Sequence, residues 1–586
     1  MKKEKRAPAP KYGLKRLWQY LCQDRATVAL CLCMLITSNL LELAIPMLTG
    51  KVIDSIVAPG GVNFTAVFQY CAIMLACFTL SSLLSYFVSL WLIKIGQNLS
   101  FMLRRDVFKA LSKLPASYFD RHPVGDILSR ICYDVDTLNS SISSDMLQVL
   151  TSIVTVAGAL TMLVILSPVL SAIIFVSVGF TIPFINWQTK RMRALFVGRS
   201  TSLGTMNGQA EESISLMNTV SAYGREQRVM ERFAKSNAAA ADANYAAEAA
   251  ARITGPTVNL FSNIALSLGS MLGAILCLNG RLTLGAVSSF VLYSRKYAGP
   301  VRETANILSD VQSAGAAADR VFNLIDEPPE PPDAADALEL RGVGGDVTAQ
   351  HVDFAYEEGR NILSDFCIDV KRGSVVAIVG PTGAGKTTIV NLLMRFYEPQ
   401  SGRILLDGKD IASITRGSLR GAWTMVLQET WLFSGTIYEN IAYGNQSATR
   451  EQVLEAAKAA HMHAFIMSLP QGYDTQVTDD MASLSKGQRQ LLAIARAMIS
   501  NSHMLILDEA TSNVDCDTEL QISDAMRRLM RDKTCFIIAH RLSTIEKADS
   551  IIVLDGGRII ESGTHQQLLA QKGLYYDMYH AQFTAG

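Results

Sequence analysis

Six apolar stretches, each long enough to cross a bilayer, lie before residue 310: Val28–Leu48, Phe68–Leu92, Leu147–Leu166, Val169–Trp187, Thr257–Leu278 and Leu284–Leu308. A span needs about 20 apolar residues. In lipid every backbone N–H and C=O must be satisfied within the chain, so these stretches have to be helices. The last is the least hydrophobic, with Arg295, Lys296 and Pro300 inside it; it reads as a helix that leaves the bilayer partway and packs on others for the rest. Charged residues make up only 18% of the 586 and hydrophobic ones 49%, and the net charge is zero. That balance places part of the chain in lipid and argues against a nucleic-acid partner.

The connections alternate in length and charge. Segments 93–146 and 188–256 are long and basic, as at Arg104-Arg105 and Lys190-Arg191-Met192-Arg193, whereas residues 49–67, Ser167-Pro168 and Asn279-Gly280-Arg281 are short. Positive loops stay on the cytoplasmic side, so both termini and both long loops are expected there. Residues 1–27 form a basic N-terminal segment whose Tyr12–Leu21 run reads as an amphipathic helix, with Trp18 suited to a membrane surface. With no small-residue cleavage site after it, the first apolar run reads as a retained span. The long loops read as extensions of the membrane helices, with apolar spacing running on through Phe101, Leu103, Val107, Phe108, Leu111 and Leu114. A turn around Ser117–Gly125 and a second near Asn218–Arg225 are candidate tips. The ten cysteines show no Cys-x-x-Cys or Cys/His spacing, and read as small buried hydrophobes of a reducing compartment.

Within the spans, Glu42 is costly in lipid and should face a partner helix or a water-filled cavity. Asn39, Gln69, Asn259 and Asn263 are ambiguous, because amides both line pathways and join helices.

The run Asp326-Glu-Pro-Pro-Glu-Pro-Pro-Asp333 cannot continue a helix, which makes 326–340 a linker between a membrane domain (28–325) and a second domain (341–586). In the second, strand-like runs at Ser374–Gly380, Met504–Glu509 and Thr534–His540 alternate with helical patterns, the α/β signature. The fold expected is an all-α six-helix transmembrane domain followed by an α/β nucleotide-binding domain.

Gly380-Pro381-Thr382-Gly383-Ala384-Gly385-Lys386-Thr387-Thr388 follows the strand-like run Val375–Val379 and opens a helical pattern. That context is what a phosphate loop requires. Its glycines let backbone N–H groups approach phosphates, and the helix N-terminus adds positive potential. Lys386 should reach the β- and γ-phosphates of ATP, and the Thr387 hydroxyl should ligate Mg²⁺. Farther on, Met504-Leu-Ile-Leu brings Asp508 to a strand end as a second Mg²⁺ ligand, with Glu509 beside it to deprotonate the attacking water.

Between these elements stands Leu484-Ser485-Lys486-Gly487-Gln488-Arg489-Gln490. With it the chain resembles the ATP-binding cassette (ABC) transporter family over essentially its whole length. The resemblance implies that Tyr356 stacks on adenine, that Gln428 contacts Mg²⁺ and the water, and that His540 touches the γ-phosphate. It implies that Ser485 and Gly487, with Gln488, contact the nucleotide of a second chain, and that Ser512-Asn-Val-Asp515 occupies the position of the family's D-loop. Six spans ahead of one cassette resemble the exporter-type (type IV) half-transporter; Leu114–Arg130 and Glu211–Glu226 resemble its two intracellular loops, whose tips dock on cassettes. Lys486 departs from the family's glycine, and Thr475-Gln-Val-Thr-Asp-Asp-Met departs from its coupling segment. Ser485 and Gly487 remain, so the signature is expected to work; the Thr478-Asp-Asp stretch, with the Gly487-Gln488 signature and the Ser512-Asn-Val-Asp515 loop, resembles one partner of heterodimeric bacterial multidrug exporters, which favours a heterodimer over a homodimer, with this chain catalytically intact. The function implied is ATP-driven export of amphipathic or hydrophobic small molecules across a bacterial inner membrane. A lipid flippase, a peptide exporter, a siderophore-type importer and, from another class, an ATP-gated channel or a regulatory membrane ATPase stand as alternatives. The roughly 25 residues ahead of the first span weaken the peptide-processing option.

Overall fold

The computed structural model describes residues 11–21, 24–57, 61–357, 359–427, 430–477, 484–508, 515–538 and 545–584. The chain divides into two compact units, one of Met1–Leu114 with His122–Pro328, the other of Pro115–Arg121 with Pro329–Gly586.

The first unit is helical. Five described helices are long and apolar enough to cross a membrane: Arg25–Ile56, Phe64–Leu111, Val124–Leu166, Pro168–Ser215 and Glu226–Leu278. The sixth sequence-predicted stretch lies in Leu284–Ile325, a continuous helix of 42 residues. Polar caps set several starts. Asp24, Asn63, Ser167 and Thr283 each accept a backbone N–H from the first turn, and Pro168 takes the first helical position, where a missing N–H costs nothing. Helices 124–166 and 168–215 therefore meet across the single residue Ser167. Helix 124–166 contains two π-helical turns, Arg130–Asp134 and Ser141–Asp145.

Pro46 interrupts the first spanning helix. Lacking an N–H, it leaves the carbonyl four residues back, that of Glu42, without its helical donor. Helix Leu284–Ile325 supplies donors along this stretch: Lys296 Nζ donates to Glu42 O at 3.1 Å, Tyr293 Oη to Leu43 O, and Ser289 Oγ to Pro46 O at 2.8 Å. Lys296 Nζ also lies 3.3 Å from Glu42 Oε2, so the carboxylate pairs with a neighbouring helix. Asn39 likewise bridges helices, accepting from Thr155 Oγ1 at 3.2 Å, whereas Gln69, Asn259 and Asn263 are exposed in the single chain.

The amphipathic N-terminal segment is the helix Lys11–Leu21. Leu17 and Leu21 are buried and Trp18 is half exposed. Gly13 N donates to Asp319 Oδ1 at 3.0 Å, and a Cβ at Gly13 would lie 2.5 Å from that oxygen, so the close approach requires glycine. Arg16 pairs with Asp326 and sits over the Phe322 ring at 4.7 Å. Nearby, Asp134 is buried in its π-turn and receives both arms of Arg320, at 2.8 and 2.5 Å.

In the second unit, six strands form the sheet β12-β11-β3-β10-β9-β6, and four form β2-β1-β4-β5. The strands are β1 Val347–Phe354, β2 Leu363–Val370, β3 Val375–Val379, β4 Ser401–Leu406, β5 Lys409–Asp410, β6 Trp423–Val426, β7 Gly435–Thr436, β8 Gln476–Val477, β9 Met504–Asp508, β10 Thr534–Ile538, β11 Ser550–Asp555 and β12 Arg558–Gly563. In the larger sheet β11, β3, β10, β9 and β6 run parallel. Its central strands are apolar without alternation because both faces are covered by core. Parallel strands deliver their carboxyl ends to one edge, where loops after β3 and β9 can share a site.

Segment Pro115–Arg121 belongs to this unit. The turn expected around Ser117–Gly125 is instead a short helix, Ala116–Arg121, followed at Val124 by the start of the next helix. Pro115 and Pro123 bound that helix without entering it. The acidic, proline-rich run is also held: Glu330 pairs with Arg420 at 2.6 Å, and Asp333 with Arg416 at 2.8 Å.

Candidate active site

The phosphate loop leaves β3 and ends in the helix Lys386–Leu393. Gly380, Gly383 and Gly385 have φ of +152°, +85° and +101°, conformations that other residues rarely adopt. At Gly380 the constraint is also steric, since a Cβ would sit 2.2 Å from Leu554 O on β11. Pro381, Thr382 and Gly383 are exposed and Ala384 is buried, so the loop's outer arc is open while its inner end is anchored.

Lys386 is buried and curls back over this arc, its ammonium donating to Gly380 O at 2.7 Å and Pro381 O at 3.0 Å. Burial pulls its pKa below the usual lysine value, while the charge of Asp508 at the end of β9 works against that shift. Lys386 and Asp508 are thus electrostatic neighbours although 122 positions separate them in the sequence. The two threonines divide: Thr388 is buried, whereas Thr387 is exposed. A Thr387 hydroxyl and an Asp508 carboxylate are hard oxygen donors, the kind Mg²⁺ takes.

Tyr356 follows β1. Its hydroxyl donates to Thr388 Oγ1 at 3.3 Å and accepts from Asn391 Nδ2 at 3.0 Å, which ties the ring to the helix of the phosphate loop. Phe354 and Tyr397 meet the ring edge-on at 4.9 and 5.0 Å, and 37% of the residue stays exposed. Tyr397 in turn donates to Asp120 of the short loop helix at 2.6 Å. Asn391, Tyr397 and Asp120 escaped sequence reading. Asn391 and Tyr397 lie outside any motif, Asp120 lies within the Leu114–Arg130 loop without standing out there, and only the fold connects them to Tyr356.

The signature residues open the helix Lys486–Met498 with a capping box. Ser485 Oγ accepts from Gln488 N at 3.2 Å, and Gln488 Oε1 accepts from Ser485 N at 2.9 Å. Gly487 is buried in the first turn, at the positive end of the helix. Asp515 caps the helix Cys516–Met530 by accepting from Thr518 N at 3.0 Å, a bond that lowers its pKa. Gln428, Glu509, His540, Ser512–Val514 and the segment from Thr478 to Met481 lie outside the described residues.

Arg496, on the signature helix, was also missed. It donates to Asn440 O, Asn440 Oδ1 and Trp431 O, each at 2.9 Å, and stacks near Phe433 and Tyr443. Trp431, Phe433 and Tyr443 remain exposed around this clasp, an apolar patch on the cassette, and Leu427 is exposed as well. On the other unit the tip Met217–Ala222 is similarly bare, with Ile214, Leu216, Met217 and Tyr223 exposed.

A strand–glycine loop–helix with a buried lysine beside a strand-end aspartate defines a nucleotide-binding ATPase. Comparison with known proteins takes the assignment further. Residues 28–301 match the ABC transporter transmembrane region and residues 363–512 match the ABC transporter domain. The chain is 38% identical over 582 residues to the ABC transporter ATP-binding protein YfiC of Bacillus subtilis (strain 168), covering 99% of this chain and 96% of that one. It is 44% identical over 526 residues to a fatty acid ABC transporter ATP-binding/permease protein of Mycobacterium bovis, covering 90% and 83%. The solved structure of a bacterial Atm1-family ABC exporter with ATP bound superposes with a TM-score of 0.78 at 31% identity, covering 95% of this chain and 98% of that one. The chain belongs to the ABC transporter family and has the exporter-type fold. It is a multi-pass membrane protein that binds ATP and couples its hydrolysis to transport, and as a half-transporter it works as a dimer.

Proposed function

We propose that the chain exports amphipathic or hydrophobic small molecules, drugs or lipids among them, from the cytosolic side of a bacterial inner membrane, with its cassette and both termini cytosolic. The observation that carries this reading is the phosphate loop, with its left-handed glycines and buried Lys386 curled over it, on a chain that also holds five helices long and apolar enough to span a membrane. Relatives described as a fatty acid transporter, a putative multidrug export protein and a lipid A-core flippase share an amphipathic or apolar cargo.

In this reading residues 28–325 move the substrate, 326–340 link, and 341–586 hydrolyse ATP. Tyr356 stacks on adenine. The amides of Gly380–Thr388 and the Lys386 ammonium hold the phosphates and spread their charge. Thr387, Asp508 and Gln428 would hold Mg²⁺, which screens the phosphate oxygens. Glu509 takes the proton of the attacking water, and His540 and Gln428 position the γ-phosphate and that water.

Ser485, Gly487 and Gln488 serve the nucleotide of the second chain, since a helix N-terminus carries positive potential suited to a γ-phosphate. Closure of two cassettes over ATP then drives the loop tips, and hydrolysis resets them. The exposed tip Met217–Ala222 of one chain docks on the Trp431, Phe433 and Tyr443 patch of its partner. The Thr478-Asp-Asp segment, with the Gly487-Gln488 signature and the Ser512-Asn-Val-Asp515 loop, favours a heterodimer, with this chain the intact partner. ATP-dependent accumulation of an amphipathic dye in inverted vesicles tests export. Purifying the chain expressed alone tests the dimer, and an active lone homodimer overturns the heterodimer.

A further inference from the structure

Cysteine spacing gave no sign of a metal, yet the fold gathers three ligand-bearing side chains on the outer face of the smaller sheet. Strand β1 carries a bulge: its pairing with β2 jumps from Ala349↔Ile368 to Val352↔Phe366. Ala349 and Val352 are buried, and the bulge turns His351 outward between them. Across from it, Asp365 and Cys367 sit two apart on β2 and face the same way, both exposed where a buried cysteine was expected. His351 and Asp365 both hold left-handed backbone, with φ of +50° and +54°, which non-glycine residues seldom adopt.

The ligand atoms converge. Asp365 Oδ1 lies 2.6 Å from His351 Nδ1, and Cys367 Sγ lies 3.7 Å from that nitrogen and 4.0 Å from that oxygen. His351 N donates to Cys367 Sγ at 3.2 Å. A tetrahedral zinc site, with bonds of about 2.0 Å to N or O and about 2.3 Å to S, has edges of roughly 3.3–3.6 Å. The two sulfur edges lie within about half an ångström of that. The nitrogen–oxygen pair, now joined by a hydrogen bond, has to open by about 0.7 Å. Both side chains are free to do so, at 80% and 69% exposure.

We propose that His351, Asp365 and Cys367 form a site for a zinc-class divalent cation, with water completing the tetrahedron. Thiolate and imidazole select such an ion over Mg²⁺ or Ca²⁺. Binding sends the Cys367 thiol proton to solvent and moves the imidazole proton from Nδ1 to Nε2, with no change of oxidation state.

The test is Zn²⁺ titration of the full-length protein in detergent against a chromophoric chelator. Wild type is expected to bind about one ion per chain more tightly than Cys367→Ser or His351→Ala does, by at least about tenfold, with ATP hydrolysis in zinc-free buffer containing Mg²⁺ retained as the check of folding. Equal affinity in wild type and both variants overturns the site. In the unmodified protein, Zn²⁺ should slow alkylation of Cys367, followed by peptide mass mapping, and chelator should restore it. An unchanged rate overturns the proposal whether or not the variants fold.

Discussion

The phenol of Tyr397 donates a 2.6 Å hydrogen bond to the carboxylate of Asp120, a residue 277 positions earlier in the chain. Asp120 lies on the short helix Ala116–Arg121, which follows the long helix Phe64–Leu111, and the Tyr397 ring meets Tyr356 edge-on. One aromatic side chain thus connects the ring proposed to stack on adenine with the segment that follows the long helix Phe64–Leu111.

If this contact transmits motion, Tyr397→Phe and Asp120→Asn should leave ATP binding within about twofold while reducing substrate stimulation of ATPase. Tyr397→Phe loses a charge-assisted bond worth about 1.5–3 kcal/mol, whereas Asp120→Asn keeps a neutral acceptor and should lose less. In the double variant the losses should not add, because both act on one bond. Burial first, then the bond to Asp120, pushes the Tyr397 phenol above its ordinary value of about 10. The donor therefore keeps its proton, and its titration should cause no loss of stimulation as pH rises from about 7 to 10.

Tyr356 carries both a hydroxyl anchor and an exposed ring face. Tyr356→Phe should weaken ATP binding only slightly, whereas Tyr356→Ala should weaken it about tenfold, the scale of one base–aromatic stack. Fluorescent-nucleotide titration separates the two; equal losses would assign the effect to the hydroxyl anchor.

Lys386→Ala should lower ATP hydrolysis about a hundredfold or more, as expected for removing a preorganised charge from developing phosphate charge. Because burial lowers the Lys386 pKa, its charged form is lost as pH rises, and earlier than for a free lysine at about 10.4. The alkaline limb of kcat/KM for ATP, which reports the free enzyme, should fall below that value.

In the membrane unit Arg320 is half exposed but its partner Asp134 is only 3% exposed. Arg320→Ala strands a buried carboxylate and should cost about 2 kcal/mol, reduced by the exposure of the guanidinium. Asp134→Asn, which keeps an acceptor and removes the charge, should cost less. Thermal unfolding in one detergent ranks the two.

Much of this architecture is written locally. The spans are composition, the helix starts are Asp, Asn, Ser and Thr caps, and the phosphate loop is a glycine spacing between a strand and a helix. What escaped was set by tertiary contact. Nothing near Glu42 announces that Pro46 strips its carbonyl of a donor and that Lys296, 254 positions away, supplies one. Tyr397 looks like an ordinary aromatic until Asp120 arrives beside it. His351 and Cys367 are 16 apart with no metal spacing, and only a bulge in β1 turns the histidine to the same face. Local chemistry reports propensity, while these pairs depend on register and crossing.

Hydrolysis at the Lys386–Asp508 site, with Glu509 as base, is proposed to power transport. The direct measurement is ATP-dependent accumulation of an amphipathic dye in inverted vesicles, made on wild type and on Glu509→Gln alongside nucleotide binding. Wild type should accumulate the dye, whereas Glu509→Gln should bind ATP unchanged with turnover and accumulation nearly abolished. Undiminished hydrolysis or accumulation in Glu509→Gln would contradict this proposal.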